Sequence, residues 1–306
     1  MSLTAEQLSL VAEIKRLKKK KNAVILVHNY QKPEIYAVAD FIGDSLMLCV
    51  EAAKTKARMI LFCGVSFMAE SAAILNPDKK VVMPFLDAGC AMADMVDIEG
   101  LKKLQKKHPK AATVCYVNST AEVKAISDVC CTSSNAVKVV RALKNKQIIF
   151  VPDKNLAAYV ASLAPEKEII AWEGFCPIHH SLSKNSVDEI RSTYPKAKII
   201  AHPECRPEVL EEADYVTSTS GMIDVAKKDK AKDFFVITEC GMTDRLHQAL
   251  PKKRFHGLCN VCYDMKKNNL EAVRRALENE EPRVIVDKKV IREAKKAFDK
   301  MFALTK

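Results

Sequence analysis

The stretch AVILVHNY, residues 23–30, is a short apolar run that stops abruptly at polar side chains. Alone it reads as one buried strand. It is written twice more, as ATVCYVNS (112–119) and AKIIAHPE (197–204). A second run follows each copy: ADFIGDS (39–45), SDVCCTS (127–133) and ADYVTST (213–219). These close on Ser45, Ser133 and Thr219, which are 88 and 86 residues apart. A third run comes next, in RMILFCGV (58–65), KQIIFVPD (146–153) and KDFFVITE (232–239). A fourth (KKVVMPF, EKEIIAW or KKRFHG) leads to a cysteine, and Cys90, Cys176 and Cys262 are each 86 residues from the next. The intervening segments, such as SFMAESAAIL and NAVKVVRAL, place apolar residues at i, i+3 and i+4, as helices do.

Short apolar strands alternating with helices predict βαβ units, so the expected class is α/β. The period divides the chain into three pseudo-threefold-related αβα sandwich domains with mostly parallel sheets around a central active site. They are expected at 1–107 with an N-terminal helix, 108–194, and 195–306 with a C-terminal helix. Function in such sheets collects at the carboxyl ends of strands. His28, Asn118 and His202 fall just beyond a first strand, Ser45, Ser133 and Thr219 beyond a second, and the three cysteines beyond a fourth. All three sets are expected to face one cavity.

Composition narrows the function classes. With 306 residues, 48% of them hydrophobic, the chain can bury several cores. No apolar run reaches the length of a membrane span. The N-terminus reads as an amphipathic helix capped by Thr4 and Gln7 rather than as a secretory signal, so a cytoplasmic location is expected. The net charge of +11 is spread over lysine-rich helix faces without interleaved aromatics, which fits a solvated surface and small anionic substrates better than nucleic acid. The eight glycines include neither GxGxxG nor GxxxxGK[ST], which argues against a nucleotide-binding Rossmann enzyme.

Eleven cysteines in a reducing compartment are not a disulfide framework. Cys49, Cys63, Cys115, Cys130, Cys131 and Cys240 lie in apolar runs and read as small core residues. The repeat-matched Cys90, Cys176 and Cys262 stand apart. Three lone thiolates suit a [4Fe-4S] cluster whose fourth iron is open to substrate. Zinc, or plain core cysteines, remain the alternatives on spacing alone. Cys259 has no counterpart in the other repeats, and His179 reads as a hydrogen-bonding neighbour of the site rather than a ligand.

The motifs HNYQ-P-E (28–34), ADFIGDS (39–45), MAE…ILNPDK (68–79), YVNSTAE (116–122), TSSNAV (132–137), PDKNLA (152–157), CPIH (176–179), HPEC (202–205), STSGM (218–222) and MKKNNLE (265–271) together carry a resemblance. The chain resembles the quinolinate synthases, the iron–sulfur enzymes of de novo NAD synthesis, over essentially its whole length. The resemblance implies three αβα domains around a [4Fe-4S] cluster held by Cys90, Cys176 and Cys262. It implies condensation of iminoaspartate with dihydroxyacetone phosphate, losing phosphate and two waters. Aspartate oxidase is the implied supplier of iminoaspartate; no nucleic acid or membrane partner is implied. Cys259 departs from the simplest family pattern. A Cys259–Cys262 disulfide under oxidation would compete for a cluster ligand, and two cysteines near a cluster is the plainer reading.

On that resemblance, Tyr30 and Glu204 are the proton-transfer groups, His28 and His202 bind or polarise substrate, and Tyr116 and Asn118 orient its carboxylates. Ser45, Ser133, Ser218 and Thr219 are expected at helix starts, where backbone N–H groups and the macrodipole favour anions. Ordinary N-capping is the simpler role for the same residues. The rivals are another [4Fe-4S] hydroxy-acid dehydratase and a cluster-bearing nucleic-acid-binding redox sensor.

Overall fold

The structure, a computed structural model, describes residues 3–306. Its first sheet contains β1 (Ala23–His28), β2 (Phe41–Gly43), β3 (Met59–Cys63) and β4 (Lys80–Val82). The second contains β5 (Ala112–Tyr116), β6 (Val129–Cys131), β7 (Gln147–Val151) and β8 (Glu168–Ala171). The third contains β9 (Lys198–Ala201), β10 (Tyr215–Val216), β11 (Asp233–Ile237) and β12 (Arg254–Gly257). Each sheet is wholly parallel, and each follows the same order: second strand, first, third, fourth. The fold is α/β with three four-stranded, all-parallel sheets, consistent with three αβα domains.

By compactness the chain forms two units. One runs to Cys90 and takes in Cys262–Arg292; the other holds Ala91–Val261 and Glu293–Lys306. In the first unit, Ile25, Val27, Met59 and Leu61 pack with Val11, Ile14 and Leu17 of the helix Ala5–Lys20 and with Val273 and Leu277 of Leu270–Asn279. The alternate residues Val24, Leu26, Ile60 and Phe62 are buried too, so the sheet is covered on both faces. The capping box at Thr4 is formed: its Oγ1 accepts the Gln7 N–H at 3.2 Å, and Gln7 Oε1 accepts the Thr4 N–H at 3.0 Å. In the second unit, Cys115, Ile149 and Val151 centre one core and Ile199, Ala201, Phe235 and Ile237 another. No helix among the described residues is long and apolar enough to cross a membrane.

The repeat extends to single hydrogen bonds. Asp40, Asp128 and Asp214 each accept on a carboxylate oxygen the backbone N–H of a first-strand residue: Ile25 at 2.8 Å, Thr113 at 2.7 Å and Ile199 at 2.8 Å. Each returns its own N–H to the carbonyl of that same residue, at 2.9, 3.0 and 3.0 Å. One aspartate per repeat thereby sets the register of the second strand on the first.

Candidate functional site

In parallel register His28 lies opposite Gly43 and Tyr116 opposite Cys131, while Ala201 pairs with Val216 one step earlier. The structural equivalents are therefore His28, Tyr116 and His202 at the first-strand ends, and Tyr30, Asn118 and Glu204 two residues on. Sequence reading grouped Asn118 with the two histidines; the register puts Tyr116 there. Ser45, Ser133 and Thr219 then follow the second strand at equivalent positions.

The capping role is real at only one of the four hydroxyls. Ser218 caps Thr219–Lys228, its Oγ accepting the Gly221 N–H at 3.3 Å. Before Ser45 the cap is Asp44, whose Oδ1 accepts the Met47 N–H at 2.9 Å. After Ser133 the cap position is Asn135. Ser45 and Ser133 are half-buried, whereas Ser218 and Thr219 are buried.

In the first unit, the loop after β1 folds back on itself. The Tyr30 N–H donates to His28 Nδ1 at 3.2 Å, and the two rings meet edge-to-face with centroids 4.7 Å apart. Both are nearly enclosed, and Tyr36 OH donates to the Asn29 carbonyl at 2.7 Å to hold the turn.

In the second unit, a buried chain of side chains joins the ends of two sheets. Tyr116 OH donates to Glu204 Oε1 at 2.5 Å, and His179 Nδ1 lies 2.8 Å from Glu204 Oε2. The other nitrogen of His179 meets Thr238 Oγ1 at 2.8 Å. His179 stacks on His202 at 4.7 Å, and the Glu204 N–H points at His202 Nδ1 at 3.4 Å. Asn155 braces the loop, its Nδ2 donating to the Glu204 carbonyl at 2.9 Å.

Burial by itself raises the Glu204 carboxyl, but the pull of His179 and His202 and the hydrogen bonds from His179 and Tyr116 outweigh it and hold it down to about 2. Burial, with His179 alongside, drives the His202 imidazole down to about 3 against the charge of Glu204. Asn118 is half-buried, and its carboxamide oxygen is enclosed without a hydrogen-bond partner. That acceptor suits a ligand N–H or O–H, while the amide nitrogen suits a carboxylate.

The three repeat-matched cysteines share one local construction. Just past the third strand, the N–H groups of Ser66, Lys154 and Cys240 donate to the carbonyls of Ala88, Gly174 and Asn260 at 2.7, 2.8 and 2.9 Å. Each carbonyl lies two residues before its cysteine. A Cβ at Gly174 would come within 2.5 Å of the Pro152 carbonyl, so only glycine permits that approach. Asp153 adds a bond, its Oδ2 accepting the Cys176 N–H at 3.1 Å. Cys90, Cys176 and Cys262 are half-buried thiols, and the latter two open the short helices Pro177–His180 and Tyr263–Lys266.

Of the cysteines read as core, Cys49, Cys63, Cys115, Cys130 and Cys131 are buried. Cys240 is not: it is half-buried, with its Sγ 3.6 Å from Glu239 Oε1, because it sits past the end of β11. Cys259 is exposed. The sequence places Asp153 and Asn155 in PDKNLA and Thr238 in the third run KDFFVITE, but assigns none of them a role, because their partners lie in distant segments.

Among the described residues one donor set is brought together closely enough to hold a metal. Cys176, His179 and Glu204 bring one ligand atom each within 4.8 Å of one another. In that set both nitrogens of His179 and both oxygens of Glu204 are already engaged within the protein. Cys90, Cys176 and Cys262 each offer a half-buried soft sulfur, a ligand type compatible with an iron–sulfur cluster.

A family profile described as quinolinate synthetase A protein matches residues 12–303. The chain is 53% identical over 301 residues to the quinolinate synthase of Methanosarcina barkeri, covering 98% of this chain and 99% of that relative. It is 51% identical over 298 residues to that of Alkaliphilus metalliredigens, covering 97% and 98%. It is 49% identical over 300 residues to that of a Geobacter species, covering 97% and 98%. The chain belongs to the quinolinate synthetase A family.

Proposed function

We propose that this chain makes quinolinate from iminoaspartate and dihydroxyacetone phosphate, releasing phosphate and two waters, as a step of NAD biosynthesis. The observation that carries the reading is the buried Tyr116–Glu204–His179 chain beside a neutral His202, at strand ends next to Cys176. The repeats 1–107, 108–194 and 195–306 each contribute one cysteine and one strand-end loop.

The residues present fit the implied cluster: three thiols at one repeat position, each braced by the same backbone bond, and none sunk in a core. Cys90, Cys176 and Cys262 would hold a [4Fe-4S] cluster, which when bound supplies a Lewis-acidic iron for removing hydroxyl as water.

The protein's own groups do the rest. Glu204, ionised and oriented by two donors, takes protons from carbon next to the imine or carbonyl. Tyr30, close-packed on His28, gives its own phenol proton to departing oxygen and regains one from solvent. His28 and His202 polarise substrate oxygens, and a neutral His202 does so without competing as a base. Tyr116 orients Glu204 as well as substrate, and Asn118 offers its vacant acceptor and its amide N–H groups to the imine and carboxylate. Ser45, relieved of capping by Asp44, and Ser133, which lies outside the cap position, bind the carboxylates and phosphate together with Ser218 and Thr219. A cytoplasmic location suits thiol ligands, and an aspartate oxidase is the supplier we expect for iminoaspartate.

The test is to mix anaerobic enzyme with dihydroxyacetone phosphate and freshly generated iminoaspartate and follow quinolinate and phosphate together. Equal release of both is expected. A chain that dehydrates a hydroxy acid but releases no phosphate would be a different dehydratase.

A further inference from the structure

Within the first unit, the MKKNN stretch at 265–269 belongs to none of the strand-end sets, yet it reaches three strand-end loops. Gln31 Nε2 donates to the Met265 carbonyl at 2.7 Å, and Lys266 Nζ donates to the Tyr30 carbonyl. The loop after β1 is thereby tied from both directions. Asn268 Nδ2 donates to the carbonyl of Gly64, just past β3, at 3.1 Å. Lys267 Nζ reaches the Asp87 carbonyl at 2.7 Å and its carboxylate at 3.2 Å, three residues before Cys90.

Gln31 and Asn268 are both 0% exposed, so breaking their bonds would strand buried polar groups. The Lys267–Asp87 ion pair is solvent-exposed and contributes little as a charge pair. Its consequence is positional, because the same ammonium grips a backbone carbonyl. Cys262 caps the short helix that ends in Lys266, so whatever holds Cys262 also orients both lysines.

We propose that Met265–Asn268 is a clasp that positions the Tyr30 loop and the Cys90 segment jointly against Cys262, with Lys266 and Lys267 as positioning residues of the site. What the thiols hold rests on the cluster reading above; the clasp itself does not. The coupling is reciprocal: a group bound at the thiols orders the two loops, and ordered loops retain that group longer.

The experiment uses full-length, anaerobically prepared Lys266→Met and Lys267→Met, each with its Lys→Arg companion. Two quantities are followed: bleaching of visible absorbance by EDTA, and hydrogen exchange at residues 28–31 and 85–90. Lys267→Met should lose iron about tenfold faster than wild type, in the range seen when outer-shell partners of metal ligands are removed. Its exchange should rise at 85–90 and not at 28–31. Lys266→Met should show the converse exchange pattern and raise KM more than it lowers kcat. Arginine should restore each property. Wild-type exchange at both loops in both methionine variants would overturn the clasp. Should wild-type protein carry no iron, the cluster reading falls, and the exchange measurement still decides the clasp.

Discussion

Tyr116 donates its phenol hydrogen to Glu204 across 2.5 Å, joining the end of β5 to the loop after β9, 88 residues later. Both groups are buried, and His179 completes the enclosure of the carboxylate at 2.8 Å. The proposed base is held in one orientation before substrate arrives, which is how a positioned carboxylate gains rate.

Glu204→Gln keeps the shape and removes the base. It should lower kcat by about 10²- to 10⁴-fold with little change in KM. Tyr116→Phe removes one of two donors and should cost about tenfold in kcat, the loss of one hydrogen bond to a charged group. Tyr30→Phe should also fall well below wild type. Steady-state rates of quinolinate formation check all three; a Glu204→Gln enzyme within a few-fold of wild type would remove Glu204 as the base.

The hydroxyls separate binding from capping. Ser45→Ala and Ser133→Ala should raise KM while leaving the melting temperature near wild type, because Asp44 and Asn135 hold the cap positions. Ser218→Ala should raise KM and also lose about 1 kcal/mol of stability with its cap. Thermal melts beside kinetics distinguish the two patterns.

The three parallel sheets were legible in the sequence because apolar runs recur at near-constant intervals, whereas the order of strands within each sheet comes only from their pairing. The pairing of Tyr116 with His28 and His202 was less plain, since a tyrosine stands where the other repeats have histidine and only register exposes the match. Asp40, Asp128 and Asp214 were visible as letters, but their clamp became evident only when their hydrogen bonds coincided. The His179–Thr238 and Asn155–Glu204 contacts join distant segments by folding alone, and no local pattern announces them.

Asp128→Ala should leave the Thr113 N–H, on a buried residue, without its carboxylate partner, costing about 1–3 kcal/mol. Asp128→Asn retains an acceptor and should recover most of that loss. Urea unfolding of the two variants checks the clamp.

Glu280 gathers Lys80, Lys21 and Arg58, and its hydrogen bonds to the two lysines hold its carboxyl down to about 2. A depressed carboxyl stabilises the fold above the ordinary carboxylate range, and that contribution disappears as pH falls toward 2. Glu280→Gln should therefore cost about 1 kcal/mol at pH 7, a modest figure because solvent screens the network. The difference from wild type should vanish near pH 2, as acid-titrated melts would show.

The central claim is that Cys90, Cys176 and Cys262 jointly hold one iron–sulfur cluster. Iron, sulfide and zinc content with a visible spectrum, on protein purified without oxygen, tests it most directly. About four irons and four sulfides per chain are expected in wild type and in Cys259→Ala, with loss of both in each of Cys90→Ala, Cys176→Ala and Cys262→Ala. Full iron, sulfide and activity in a Cys176→Ala protein would contradict the claim, as would one zinc without sulfide in a wild-type enzyme that still makes quinolinate.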